Sequence, residues 1–399
     1  MSPLNFNRFV KNRRLKIIIR GLAAVLLANL YCSSCFSQAQ LRDTNYIYEA
    51  PQQLNDGINT GNLTDGGLDS DKIIKLTGLI LADTFTNVHS LLIMRNNKLI
   101  YENYFTGGDE IWGLKLGYTA HDKNAIHDIR SISKSIVSAC IGIAIMQNKI
   151  KSVDDPIFNY LPGYLKYKTT TNDKITIRDL LTMSSGIAWD EDTPHNTSKN
   201  DESQMEKSDD AVAYTLSLPV AEKPGSVWNY NSGGVQVLAE IIKNVSGYSI
   251  DQFADKFLFG PMGINGARWI KMHNTPAAAS GLRLKSRDLL KIGLLYLNKG
   301  KYNDIQLLPK DWAKESLSTQ ILRDSLSNKG YGYLWWTQTN TASGKKHYIV
   351  SARGNGGQDI FIDQQSKLIV VITAGNYNRQ HIINDGQMAL VKYILPALR

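Results

Sequence analysis

The sequence predicts an α+β fold: one antiparallel sheet built from both ends of the chain, helices packed on it, and a helical insertion between. Three patterns carry that expectation. Paired strand-like runs occur near residue 90, a nearly all-apolar helical run starts at Ser131, and four more strand-like runs crowd the last 70 or so residues.

The first elements come after a leader. Arg8, Lys11, Arg13, Arg14, Lys16 and Arg20 precede an apolar stretch over 21–31, and Ser37-Gln38-Ala39 places small residues where a signal peptidase cuts. That order predicts a secretory signal peptide cleaved near Ala39 and an exported, periplasmic or extracellular protein. The apolar stretch falls short of the ~20 residues that span a bilayer, so no stable membrane span is expected after cleavage. Taking those six basic residues from a formal net charge of +9 leaves about +3. The basic character therefore belongs mostly to the leader and does not point to nucleic acid. Cys32 and Cys35 leave with it. Cys140 stays alone in an apolar helical run, which excludes an internal disulfide and suggests a buried apolar role.

Residues 40–85 are a polar lead-in with a helix near 71–84. Residues 88–94 and 98–105 form a hairpin across Arg95-Asn96-Asn97, because asparagine tolerates the left-handed backbone of tight turns. A helix over 131–150 is apolar on almost every face and should be buried. A short helix over 175–183 takes Thr176 as its N-cap. Residues 189–210 are polar and acid-rich and predict a long, mobile surface loop. Helices follow near 208–216, 233–245 and 286–297. Strands follow near 331–337, 346–351, 359–363 and 368–374, and a last helix spans 385–398. The expected layout is a lead-in over 40–85 and a catalytic unit over 86–399. Its sheet comes from 86–130 and 275–399, and its helical part from about 131–274.

Chemistry begins at Ser131-Ile132-Ser133-Lys134. Residues three apart on a helix share a face, so Lys134 reaches Ser131. A serine needs a proton acceptor to become a nucleophile, and a partly desolvated lysine can be one. The helix start favours the negative charge that develops during acyl transfer. The same spacing also suits a helix cap, and it recurs at Ser343-Gly344-Lys345-Lys346, where a turn between strands is expected. Two further stretches matter. In Trp228-Asn229-Tyr230-Asn231-Ser232-Gly233-Gly234, Tyr230 sits on a loop before a helix, where a phenol can enter a cleft as acid or base. In Ser351-Ala352-Arg353-Gly354-Asn355-Gly356-Gly357-Gln358, glycines beside a strand allow a ligand or another backbone to approach.

In this order, Ser-x-x-Lys, then the tyrosine motif, then a glycine-rich strand, the sequence resembles the serine β-lactamase and penicillin-binding protein superfamily on its class C side. The flanking segments 152–162, 175–186, 281–295 and 331–336 resemble it too, so the likeness spans roughly 88–398. It implies a β-lactamase/transpeptidase-like fold with an antiparallel sheet, an all-helical part, and a site between them. It implies Ser131 as acylated nucleophile, Lys134 assisting its deprotonation, and Tyr230 activating the serine and later the hydrolytic water. The N–H groups of Ser131 and of a residue near Gly354 would hold the oxyanion. Ser232 stands where the family often has asparagine. The usual Lys-Thr-Gly or His-x-Gly is replaced by a stretch whose register is open by one residue, with Arg353 and Asn355 as substrate-binding candidates.

The expected activity is hydrolysis of a small-molecule or peptide-like amide or ester. The departures argue against an efficient β-lactamase and toward the esterase and 6-aminohexanoate oligomer hydrolase branches. The alternatives are a penicillin-binding or ligand-sensing protein that acylates but barely turns over, and a true class C-like β-lactamase. No Gly-x-Ser-x-Gly elbow is present. The seven histidines are scattered along the chain, and His121 and His127 lack a convincing third ligand, so neither metal nor cofactor is expected. Of Trp189, Trp228, Trp335 and Trp336, one or two are expected to line the cleft.

Overall fold

Asn96 and Asn97 both adopt the left-handed backbone, with φ of 52° and 61°, and this two-residue turn sets the register of the first hairpin. The structure is a computed structural model that describes residues 46–195, 197–324, 326, 328–379 and 385–399. The predicted leader lies outside the described residues, and among those described no helix is long and apolar enough to cross a membrane.

The strands that matter are, in chain order, β1 (Val88–Arg95), β2 (Lys98–Tyr104), β3 (Gly107–Ile111), β4 (Leu114–Thr119), β5 (Ile126–Asp128), β6 (Leu282–Lys285), β7 (Lys329–Tyr331), β8 (Trp336–Ala342), β9 (Lys345–Gly354), β10 (Gln358–Asp363) and β11 (Leu368–Ala374). The main sheet runs β2-β1-β11-β10-β9-β8-β7, with two-residue strands added at each edge. All pairings among these seven are antiparallel. Every residue of β10 and β11 is buried, as expected for central strands covered on both faces. The strands come from both ends of the chain, so the mixed α+β layout holds.

The helices that matter are α1 (Ser70–Leu81), α2 (Ile132–Met146), α3 (Ile177–Leu181), α4 (Asp201–Lys207), α5 (Ala211–Ser217), α6 (Ser232–Ser246), α7 (Ser286–Leu297), α8 (Lys310–Ser316) and α9 (Asp385–Ala389). Helix α7 lies on one sheet face, and Gly293 lets it approach Ile360 and Ile369 closely. Phe361, alternating to the other face, lines a small cavity together with Leu390, just beyond α9. Helix α2 is buried from Ile132 to Ala144 and contacts α6 and β9. Thr176 caps α3 in a reciprocal box with Asp179.

Some expectations need correction. Residues 189–210 are not an outlying loop: Asn200, Glu202, Ser203 and Met205 are buried, and α4 forms with Asn200 as its N-cap. Asn200 donates to the Thr193 carbonyl at 2.7 Å and Ser203 Oγ to the His195 carbonyl at 2.6 Å, so these buried polar groups are satisfied internally. The strand expected over 331–337 breaks at Leu334, whose φ is 60°. That turn is held by α2 and α3: Ser135 Oγ donates to the Leu334 carbonyl at 2.7 Å, and Leu334 N–H donates to Leu181 O at 2.9 Å. The last helix proper is only Asp385–Ala389, continued by tighter and wider turns to Ala397. The hairpin β3–β4 gave no sequence signal, because its apolar residues Leu114, Leu116 and Tyr118 point to solvent.

Candidate active site

Ser131 stands immediately before α2, after Arg130, whose φ is 48°. A non-glycine residue in that region costs of order 1–3 kcal/mol and needs support. The support is visible. The Arg130 guanidinium lies 4.9 Å from the ring centres of both Trp112 and Tyr377, and pairs with Glu110 at 2.9 Å. Ser133 Oγ donates to the Arg130 carbonyl at 2.6 Å and accepts the Leu282 N–H at 3.1 Å.

The Ser131 hydroxyl does not cap its helix, so the cap reading of this serine falls. It accepts a hydrogen bond from Lys134 Nζ at 3.1 Å, and Nζ also donates to the Ala279 carbonyl at 3.1 Å. Lys134 is almost completely buried. Lys134 Nζ lies 4.8 Å from the Tyr230 ring centre, so the lysine stands beside both the serine hydroxyl and the tyrosine ring. Burial pushes the Tyr230 phenol well above its usual value, and the carboxyl of Glu191 adds to this. The resting tyrosine is therefore a phenol, not the phenolate that a neighbouring cation could have produced. The second Ser-x-x-Lys, at Ser343, sits in the β8–β9 turn.

Ser232 opens α6 but turns toward acid. Its N–H donates to Glu191 Oε2 at 2.8 Å and its Oγ to Glu191 Oε1 at 2.7 Å, while Trp189 Nε1 donates to Oε2 at 2.8 Å. Burial raises the Glu191 carboxyl to about 7, with Glu202 adding to the rise and Lys134 opposing it. Burial also raises Glu202. Sequence reasoning missed both acids. The Trp189–Glu191 pair beside the Ser232 motif has no spacing that announces it.

Gly354 ends β9 where an added Cβ would collide with the Ile129 carbonyl oxygen. This close approach brings the strand end against the start of α2. Pairing with β8 stops at Ser351↔Trp336, so the other edge of residues 352–354 has no partner strand among the described residues. Arg353 points away from this contact, by strand alternation. It pairs with buried Asp359 at 2.9 Å and reaches Gln387 at 3.4 Å. Asn355 and Asn378 bind each other reciprocally at 2.7 and 2.8 Å. Neither Arg353 nor Asn355 is brought to Ser131. Trp335 is fully buried and Trp189 packs on Tyr214. Trp336 stacks on Tyr230 at 5.4 Å, with Trp228 beside both.

Three of the seven histidines, separated in sequence, come together in space. In space His89 supplies the third member beside His121 and His127, with Asp109 as a fourth.

The chain belongs to the beta-lactamase family, whose model matches residues 88–391. An uncharacterized protein of Alkalihalophilus pseudofirmus is 24% identical over 276 residues, covering 62% of this chain and 70% of the relative. Among solved structures, a provisionally named 6-aminohexanoate-dimer hydrolase from Bacillus anthracis superposes with TM-score 0.66 at 20% identity, over 80% of this chain and 83% of the other. EstCE1, a hydrolase with promiscuous acyltransferase activity, gives 0.64 at 14% identity, over 82% and 100%. At these identities the structures establish a shared fold.

Proposed function

We propose that the protein is an exported serine hydrolase that cleaves an amide or ester through a covalent acyl-enzyme on Ser131. The observation that carries this is the Ser131 hydroxyl, uncommitted to capping and hydrogen-bonded by Lys134 Nζ, which in turn lies 4.8 Å from the Tyr230 ring centre. In the proposed sequence Ser131 Oγ attacks the substrate carbonyl carbon, and its proton passes to Lys134 Nζ. The oxyanion is held by N–H groups at the start of α2 and the end of β9. Tyr230, protonated at rest, donates to the departing amine or alcohol as the C–N or C–O bond breaks. Water then attacks the acyl carbon, its proton passing to Tyr230, and the acid is released as the acyl–Oγ bond breaks and Lys134 returns its proton to Ser131 Oγ. Hydrolases among the structural neighbours support this reading. Arg353, held by Asp359, is assigned to the fold and not to a substrate carboxylate.

The test is intact-protein mass after a fluorophosphonate, for wild type and Ser131→Ala, with turnover of a simple aryl ester and amide. A single adduct lost in S131A, together with turnover, is the expected result. An adduct that persists in S131A overturns the nucleophile. A stable acyl adduct without turnover replaces hydrolysis by a sensing role.

A further inference from the structure

His89, on β1, and His127, on β5, are fully buried. The His89 ring stacks on that of His121 with centres 3.8 Å apart, and His127 lies 5.3 and 4.9 Å from the two. Asp109 joins them from β3, at a register shift in the β3–β4 pairing that re-aims its side chain. One ligand atom from each of the four residues falls within 4.8 Å of the others. Four donors around a tetrahedral zinc-type ion sit about 3.3 Å apart, so small side-chain rotations close the shell.

The hydrogen bonding around the rings favours coordination. His89 Nε2 bonds the Gly108 carbonyl at 3.0 Å, an arrangement in which Nε2 carries the proton and Nδ1 keeps its lone pair. A backbone carbonyl fixing the far nitrogen is the usual outer support of a metal-bound imidazole. His89 Nδ1, His121 Nε2 and both nitrogens of His127 are buried without a hydrogen-bond partner. Buried polar atoms are rarely left so, and each unpaired one calls for a ligand or an ion. Asp109 and His121 are less buried than the other two, which leaves a side for entry.

We propose that His89, His121, His127 and Asp109 bind one divalent transition-metal ion of the zinc type. With three nitrogens and a carboxylate the shell is complete, which marks a structural site, closed to substrate. Its effect is mechanical: the ion ties the β3–β4 hairpin and the 120–125 segment to β1 and to β5. Strand β5 leads within three residues to Ser131. The site does not depend on the reading of Ser131.

The experiment uses untagged protein expressed from the full chain, stripped with chelator and titrated with Co²⁺, then Zn²⁺. Expected are the visible d–d bands of tetrahedral Co²⁺ saturating at one equivalent, displacement by Zn²⁺, and a Zn²⁺-dependent rise in the unfolding midpoint. His121→Gln and Asp109→Asn, both at the more accessible side, should weaken Co²⁺ binding beyond the ~10–100-fold that outer-shell changes cost. Folded wild type with neither bands nor a midpoint shift overturns the site. Equal Co²⁺ affinity in wild type and H121Q places the ion elsewhere and overturns it as well.

Discussion

Glu191→Gln isolates the acid that 189–210 carries into the site. In wild type the Glu191 carboxyl titrates at about 7, against 4.5 when unfolded. Between those values the folded chain keeps a proton that the unfolded chain has released, so stability falls as pH rises from about 4.5 to 7. The difference is about 2.5 kcal/mol between pH 5 and pH 8 at most, less whatever relaxation and water recover. Glutamine can keep the local hydrogen bonds. Its Oε1 accepts from Trp189 Nε1 and the Ser232 N–H, and its Nε2 donates to a rotated Ser232 hydroxyl. E191Q therefore mimics the protonated form. Urea unfolding of both proteins at pH 5 and pH 8 should show wild type losing stability over that interval and E191Q losing roughly 1–2.5 kcal/mol less. Burial raises the Glu202 carboxyl too, so the informative quantity is the difference between the two proteins. Parallel pH dependences would refute the enclosed, proton-retaining carboxyl.

Tyr230→Phe should slow acylation by ~10²–10⁴-fold, measured as the rate of fluorophosphonate labelling, with no phenolate-dependent rise in the wild-type rate up to pH 10. Wild-type speed in Y230F would remove tyrosine from the mechanism. Gly354→Ala forces a methyl group onto the Ile129 carbonyl and should cost about 1–3 kcal/mol in urea unfolding while slowing acylation. An unchanged variant would mean that β9 does not abut the nucleophile turn.

The legible parts of the fold were those in which local pattern and tertiary position agree. The Asn96-Asn97 hairpin, the apolar run of α2, the Thr176 cap and the wholly buried β11 all announce themselves because each residue suits its element on its own. The region 189–210 did not, because an acid-rich segment looks solvated until its partners are known. Glu191 is satisfied by Ser232, which follows 41 residues later. The same limit hid the histidine cluster, since His89 and His127 lie on strands of two different sheets and meet only through tertiary packing. Ser131 and Lys134 were legible through helical spacing, whereas the inward or outward choice for Arg353 turned on Asp359 and could not be read from the motif.

The sheet has a kinetic consequence. Val88 pairs with Ala374 and Arg95 with Leu368, so β1 waits for almost the whole chain before its inner edge is covered. Until then the β1–β2 hairpin offers an unpaired, apolar strand edge, which is what other chains add to. Closing so long a loop is slow compared with forming local helices such as α2 and α6. Folding of this protein should therefore end with the docking of β11, and chains interrupted before Leu368 should aggregate through β1.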